Sequence, residues 1–236
     1  MSATWWHSFC VIEMRIDMQV TETFTIVYQE GSGEIVEKKS RFIAHVYPIR
    51  TEEEAIEHIE NIKKTYWDAR HNCYSYVLGE RQELQRFSDD GEPSGTAGKP
   101  ILEVLLGMDI HNTLVVVTRY FGGTLLGTGG LVRAYSAATK AGLENCVITQ
   151  QRKGQKIAIK TDYNGLGKMQ YILNEMEIPI LDTIYTDVVE ILALVPVGIY
   201  DALQKKMIAV TAGKAEWEEL EETSFLCLDK EVIEVS

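Results

Sequence analysis

The strongest constraint on this fold is a pair of glycine-rich segments on either side of one short apolar stretch. Segment 89–100 holds three of the chain's 18 glycines, and segment 119–130 holds five. Between them, the run 114–118, a leucine followed by four β-branched residues, predicts a strand that is buried on both faces. Glycine permits positive φ angles and close backbone approach. We therefore expect the two segments to form one surface, where exposed backbone contacts a ligand.

The composition predicts two globular domains with an acidic surface. The 236 residues carry a formal net charge of −12, and both halves of the chain are net negative. Bulk charge therefore disfavours non-specific nucleic-acid binding, whereas a local basic patch stays open. No apolar run approaches the roughly 20 residues that a membrane-spanning helix needs, so no membrane contact is expected.

Four scattered cysteines indicate a reducing environment. Cys10, Cys73, Cys146 and Cys227 form neither a C-x-x-C pair nor a cluster with histidines. This spacing argues against a zinc site and against a disulfide framework. The cytoplasm is the expected location, and neither a metal nor a cofactor is expected.

The apolar pattern predicts an α+β chain with two domains. Residues 1–18 lack the features of a secretory signal and are expected to be a disordered extension, with Met14 or Met18 as an alternative start. The first domain is predicted over 19–148 and the second over 149–236. In the second domain the elements follow the order β-α-β-β-α-β, which is the split arrangement of ferredoxin-like sandwiches.

Within the first domain, turn-forming and helix-capping residues predict individual elements. Two extended segments are expected to form a hairpin through Gly31-Ser32-Gly33, and Thr51 is expected to cap a helix. A second helix is expected to begin near Pro100, and a third near Gly130.

The second glycine-rich segment predicts an anion-binding site at the start of a helix. Unpaired backbone N–H groups and the positive end of the helix dipole would meet there, close to two arginines. The residues assigned to this site are Arg119, Gly122, Gly123, Gly127, Thr128, Gly129, Gly130 and Arg133. A phosphate of RNA, of a nucleotide or of a small metabolite would suit it. The alternative is that the glycines only form turns and that the arginines pair with Asp89, Asp90 or Glu92.

The first glycine-rich segment and the residues before it predict a functional loop. Its members are Arg70, His71, Asp89, Asp90, Gly91, Glu92, Gly95, Thr96, Gly98 and Lys99. Pro93 and Pro100 replace residues that a nucleotide-binding P-loop requires, so that motif is excluded. The three acids could bind magnesium or cap turns, and His71 with Cys73 could form a nucleophile pair or simply pack. Tyr120 and Phe121 could stack on bases or pack against the following helix.

Four motifs resemble the IMPACT/YigZ family over about residues 24–148. They are Lys38-Lys39-Ser40-Arg41-Phe42-Ile43-Ala44, Ala69-Arg70-His71-Asn72-Cys73, the run 89–98, and Arg119-Tyr120-Phe121-Gly122-Gly123. The resemblance implies a first domain of the type shared by a small-subunit ribosomal protein and domain IV of elongation factor G. It implies a ferredoxin-like second domain similar to the end domains of that factor. Eukaryotic relatives are linked to translational control through an extra N-terminal domain, which is not carried over to these residues.

Three functions follow from these observations as expectations. The first is a non-enzymatic cytoplasmic protein that contacts RNA, the ribosome or a translation factor. The second is an enzyme or sensor that binds a phosphorylated small molecule at the glycine-rich helix start. The third is a protein–protein adaptor that uses the open face of the second domain's sheet.

Overall fold

The computed structural model describes residues 23–211, 213, 216–228 and 231–235. The predicted extension 1–18 therefore lies outside the described residues. The strands in chain order are β1 (Thr23–Gln29), β2 (Gly31–Glu37), β3 (Ser40–Pro48), β4 (His71–Leu78), β5 (Leu84–Ser88), β6 (Ile110–His111), β7 (Thr113–Tyr120), β8 (Val147–Thr161), β9 (Ile180–Tyr185), β10 (Val189–Pro196), β11 (Glu216–Leu228) and β12 (Glu231–Val235). The helices are α1 (Glu52–Thr65), α2 (Gly98–Gly107), α3 (Thr128–Leu143), α4 (Tyr163–Glu175) and α5 (Tyr200–Thr211).

The first sheet has helices on both faces. Its five strands lie in the order β2-β3-β7-β4-β5, and every pair is antiparallel. Side chains of one face, such as Val115 and Val117, pack in one core with residues of α2 and α3. Those of the other face, such as Leu114 and Val116, pack with residues of α1. The central strand β7 is therefore buried on both sides, as its β-branched sequence predicts.

The hairpin turn in this sheet differs from the prediction. Gly31 and Gly33 lie within β2, and the two-residue turn is Lys38-Lys39. The glycines are needed for packing, because a methyl group at Gly31 would lie 2.6 Å from the Asn145 carbonyl oxygen. A methyl group at Gly33 would overlap the backbone at the end of α3. Glycine there permits close helix–sheet contact and does not form the turn.

The second sheet contains the predicted ferredoxin-like unit. Its elements follow one another as β8-α4-β9-β10-α5-β11. The four strands form an antiparallel sheet in the order β9-β10-β8-β11, and α4 and α5 cover one face of it. This confirms the two-part α+β fold. Strand β12 extends the sheet beside β11, and β1 with β6 continues it beside the first half of β8. The proposed division at residue 148 stays a prediction, since β8 runs through it without interruption.

Across the described ranges, no helix is both long enough and apolar enough to span a membrane.

Candidate functional site

Both glycine-rich segments lie at one end of the first sheet. Strand β7 ends there at Tyr120, strand β4 begins there at His71, and the β2–β3 turn is beside them, because Arg41 pairs with Tyr120 and His71 with Arg119. The loop between β5 and α2 and the start of α3 reach the same end. The C-terminal turn of α3 packs against the opposite end of β2 and β3, which places its N-terminus here.

Arg119 is paired internally and is not available as a free cation. The residue is 6% exposed, and its Nη1 lies 2.5 Å from Glu92 Oε1 in a buried ion pair. The Tyr135 hydroxyl donates to the same carboxylate oxygen at 2.9 Å. Burial raises the pKa of Tyr135, so this hydroxyl stays protonated and remains a donor. Of the two alternatives for Arg119, binding an anion or pairing with a nearby acid, the structure shows the pair with Glu92. Its Nε is buried without a hydrogen-bond partner among the described residues.

Asp89 organises the first glycine-rich loop. Its carboxylate accepts hydrogen bonds from three backbone N–H groups, those of Gly95 at 2.7 Å, Ala97 at 3.0 Å and Gly98 at 2.9 Å. Two of these groups stand at the start of α2, where no helix residue supplies a side-chain cap. The carboxylate therefore caps α2 from a distant position in the sequence and complements the helix dipole.

Asp90 and His71 attach the same loop to β4. Asp90 Oδ2 accepts from the Asn72 backbone N–H at 2.6 Å, and Oδ1 lies 3.5 Å from Lys63 Nζ. A hydrogen bond of 2.8 Å joins His71 Nδ1 to the Asp90 carbonyl. Asp89, Asp90 and Glu92 thus have separate partners, and no group of acids, histidines and cysteines in the described chain is arranged to hold a metal ion. Of the two readings of these acids, the structure supports turn capping and pairing.

The nucleophile pair of His71 and Cys73 is contradicted by the geometry. The Cys73 thiol is fully buried, and its Sγ lies 3.0 Å from the Asp89 carbonyl oxygen and 3.3 Å from the Tyr135 hydroxyl oxygen, either of which can accept its one hydrogen. His71 directs its Nδ1 to the loop backbone instead of the thiol. Alternation along β4 places both side chains on the same sheet face, but packing against α3 covers the cysteine.

We expect the Cys73 thiol to be unreactive in the folded protein. Burial raises the pKa of Cys73, so the reactive thiolate is scarcely populated at neutral pH. Treatment with iodoacetamide, followed by peptide mass mapping, should leave Cys73 unmodified in buffer and modified in guanidinium chloride. Rapid modification of Cys73 under native conditions would restore the nucleophile hypothesis.

The start of α3 carries the remaining residues of the predicted anion site. Gly127 has a φ of 71° and precedes the helix without supplying a side-chain cap. A methyl group at Gly129 would lie 3.8 Å from Arg133 Nη1, so this exposed guanidinium lies along the first turn. Gly123 also has a positive φ, of 83°. Thr128 and Gly130 complete the first turn. Anion binding here remains a proposal.

Gly122 has a packing role at this end. A methyl group on Gly122 would overlap the backbone of Lys39 and Ser40, and its N–H donates to Ser40 Oγ at 3.1 Å. This contact holds the β2–β3 turn against the segment that leaves β7. Lys38 and Lys39 have φ angles of 44° and 67°, and both side chains are exposed. Two lysines therefore occupy the left-handed conformation that glycine and asparagine favour in such turns.

A turn between α1 and β4 adds an exposed indole. The Tyr120 hydroxyl donates to Asp68 Oδ1 at 2.8 Å, and the guanidinium carbon of Arg41 lies 6.0 Å from the Tyr120 ring centroid. This hydrogen bond raises the pKa of Tyr120. Trp67 directly precedes Asp68 and is 82% exposed.

Phe121 presents a second partly exposed ring. Its centroid lies 5.7 Å from the guanidinium carbon of Arg119, and 45% of the residue is exposed. Two roles were predicted for this ring, stacking on bases and packing against the following helix, and base stacking stays a proposal. On its inner side the ring contacts the Arg119 guanidinium.

Other predicted loop residues serve the backbone. Gly91 and Gly95 have positive φ angles of 86° and 75°. Thr96 is buried, and its hydroxyl donates to the Pro93 carbonyl at 2.6 Å. Lys99 is exposed on α2, with Nζ 3.9 Å from Glu103. These contacts are those of a rigid loop.

The site includes residues that the sequence reasoning did not assign to it. We define the aromatic–basic end by its exposed or partly exposed side chains, which are Lys38, Lys39, Arg41, Trp67, Arg70, Tyr120, Phe121 and Arg133. Lys38, Lys39, Arg41 and Trp67 were missed. A Lys-Lys pair between two strand-like runs and a tryptophan just after a helix were the available signals. Among the described residues, Lys38, Lys39, Arg70 and Arg133 make no ion pair, whereas Arg41 bonds to Glu34 at 2.6 Å.

The fold and this end together define a class: a two-part α+β protein whose first part presents clustered cations and aromatic rings. The family model described as the Impact N-terminal domain matches residues 38–143, and one described as a domain of unknown function (DUF1949) matches residues 159–214. The chain belongs to the IMPACT family.

Individual relatives match most of the chain. It is 41% identical over 201 residues to the IMPACT family member YvyE of Bacillus subtilis (strain 168), covering 85% of this chain and 93% of the relative. It is 34% identical over 189 residues to YigZ of Escherichia coli (strain K12), covering 78% and 92%. A solved structure described as a hypothetical protein is similar with a TM-score of 0.55 and 30% identity, over 86% of this chain and 99% of that one.

Proposed function

We propose that this protein binds RNA, free or within the translation apparatus, through the aromatic–basic end and without catalysing a reaction. A cytoplasmic location is part of this proposal. It is supported by the convergence of cations without ion pairs and exposed aromatic rings at one end of the first sheet. The fold type that the family resemblance implies, which is shared with a ribosomal protein and domains of elongation factor G, also supports this proposal.

Phosphate binding depends on the charges near the contact more than on the acidic composition of the whole chain. Phosphate contacts depend on cations within about one Debye length, roughly 8 Å at physiological ionic strength, so distant carboxylates matter less than neighbours. Lys38, Lys39, Arg70 and Arg133 have no ion-pair partner among the described residues, so their charges are available to phosphates. Binding of this kind weakens with salt, because it releases counterions.

The observation that carries the proposal is the lysine turn. A left-handed backbone costs roughly 1–2 kcal/mol for a residue with a side chain, and Lys38 and Lys39 both adopt it. Neither lysine forms an ion pair in the described part of the chain, so that cost is not offset by an internal contact of the charges. Strain of this kind is typical of positions kept for binding.

We expect the double variant Lys38→Asn with Lys39→Gly to separate binding from stability. Asn-Gly is the preferred sequence for such a turn, so the free energy of unfolding should stay equal or rise by about 1 kcal/mol. The loss of two phosphate contacts should weaken RNA binding and reduce the slope of log K against log salt by about 1.4. Fluorescence anisotropy with a labelled single-stranded RNA, over a salt series, measures both quantities.

A matched control removes two charges elsewhere. Lys168 and Lys205 are exposed on α4 and α5, so the double change of both to Gln lowers the net charge equally. That variant should keep the wild-type affinity and salt slope. The proposal is wrong if wild-type protein shows no RNA affinity at low salt, or if both double variants bind like wild type.

A second candidate is a site for a phosphorylated small molecule at the start of α3. It is supported by the uncapped first turn and by Arg133 beside Gly129. Thermal-shift measurements with nucleotides and sugar phosphates would test it, since a hundredfold excess over the dissociation constant stabilises a protein by about 2.7 kcal/mol. Absence of a shift at millimolar concentrations would argue against this candidate.

A further inference from the structure

The turn that carries Trp67 is held on both sides. The Ala69 N–H donates to the Tyr66 carbonyl at 3.0 Å, and a hydrogen bond of 2.9 Å joins the Tyr66 hydroxyl to His45 Nε2. Asp68 accepts from Tyr120 at 2.8 Å. The two neighbours of Trp67 are therefore tied to β3 and β7, while the indole itself lies in solvent.

The Phe121 ring is similarly supported from one side. The Arg119 guanidinium lies over it, and the Glu92 pair fixes that guanidinium in the core. The exposed part of the ring is left for an external partner. Both rings thus have a fixed backbone and a free aromatic surface. Because the backbone is already ordered, less conformational entropy is lost when a ligand binds.

We propose that Trp67 and Phe121 are stacking platforms for the bases of single-stranded RNA, so that this end selects unpaired over duplex RNA. The inference rests on the proposed function and names its substrate class. In an A-form duplex the base faces are covered by stacking, and only backbone and groove edges are presented. Exposed rings beside cations therefore match a single strand, in which each base offers a free face and each phosphate a charge.

The charge contacts alone would not distinguish the two forms of RNA. Lys38, Lys39 and Arg133 can contact phosphates of a duplex as well as those of a strand. Discrimination must come from the aromatic surfaces, which carry no charge. Stacking should therefore change affinity without changing the salt slope, and this separates it from the lysine contribution.

The test compares one labelled RNA of about 12 nucleotides as a single strand and annealed to its complement. Wild-type protein should bind the single strand more tightly. Trp67→Ala and Phe121→Ala should each weaken single-strand binding by about 5- to 150-fold, with little effect on the duplex and an unchanged salt slope. Trp67→Phe should keep most of the affinity. Tyr171→Ala, at a residue that is 68% exposed on α4, is the matched control and should bind like wild type.

The outcomes separate this inference from the function on which it rests. Equal affinity for strand and duplex would overturn the inference, as would unchanged single-strand affinity in both aromatic variants. If Lys38→Asn with Lys39→Gly still weakens binding in that case, RNA binding stands and stacking does not. If wild-type protein binds neither RNA at low salt, the proposed function itself fails. Circular dichroism of each variant checks that it is folded.

Discussion

Arg119→Met should lower the free energy of unfolding by about 3–5 kcal/mol. The change removes the cation of a buried pair and leaves the Glu92 carboxylate in the core with the Tyr135 hydroxyl as its one side-chain donor among the described residues. An uncompensated buried charge is far more costly than the loss of an ion pair in water. Urea denaturation, followed by circular dichroism, measures the difference.

Two further variants test whether the buried pair explains this loss. Arg41→Met breaks an exposed pair with Glu34 on the neighbouring strand and should cost less than about 1 kcal/mol. The double variant Arg119→Met with Glu92→Leu removes both charges and should recover most of the stability. A loss below about 1 kcal/mol for Arg119→Met alone would show that its pairing with Glu92 is not formed in solution.

Asp89→Ala should lower the free energy of unfolding by about 3 kcal/mol. It removes the acceptor of three backbone hydrogen bonds and the negative charge at the start of α2. A hydrogen bond to a charged group contributes about 1.5–3 kcal/mol, and water can replace part of the loss in this partly exposed loop. Asp89→Asn keeps one acceptor oxygen, so its free energy of unfolding should lie between those of the wild type and of Asp89→Ala. The measurement is again urea denaturation.

The matched comparison for Asp89 is an ordinary helix cap. Asp162 caps α4 through one bond of 2.6 Å to the Gly165 N–H, and Asp162→Ala should cost about 1 kcal/mol. If Asp89→Ala costs no more than Asp162→Ala, the carboxylate does not hold the loop together. Equal losses would also remove the reason for regarding the loop as rigid.

Local sequence predicted most of the elements, because those elements follow from residue type and spacing. Thr51 accepts from the Glu54 N–H at 3.2 Å and caps α1 as the acidic first turn predicts. The position of the hairpin turn could not be predicted from the glycines alone. Gly31 and Gly33 are glycines because α3 packs against them, and that contact joins residues more than 100 positions apart.

The convergence of the two glycine-rich segments was predicted, but their side-chain contacts were not. Two glycine-rich segments around a buried strand indicated a common surface, and both do lie at one end of the first sheet. Whether Arg119 would bind a ligand or Glu92 depended on side-chain direction in the folded core, which sequence spacing does not give. Lys38 and Trp67 were missed because a Lys-Lys pair between two strand-like runs and a tryptophan just after a helix do not by themselves distinguish a binding residue from an exposed turn residue.

Strand β8 belongs to both parts of the molecule. Along one edge it pairs first with β1 and then with β10, and along the other with β11. A cut at residue 148 would therefore strip partners from β1 and leave bare amides and carbonyls, a template for aggregation. Binding experiments with the separate halves would therefore be done on proteins whose sheet is disrupted. Partners of either half should therefore be sought with a protein that keeps β1 and β8 in one molecule.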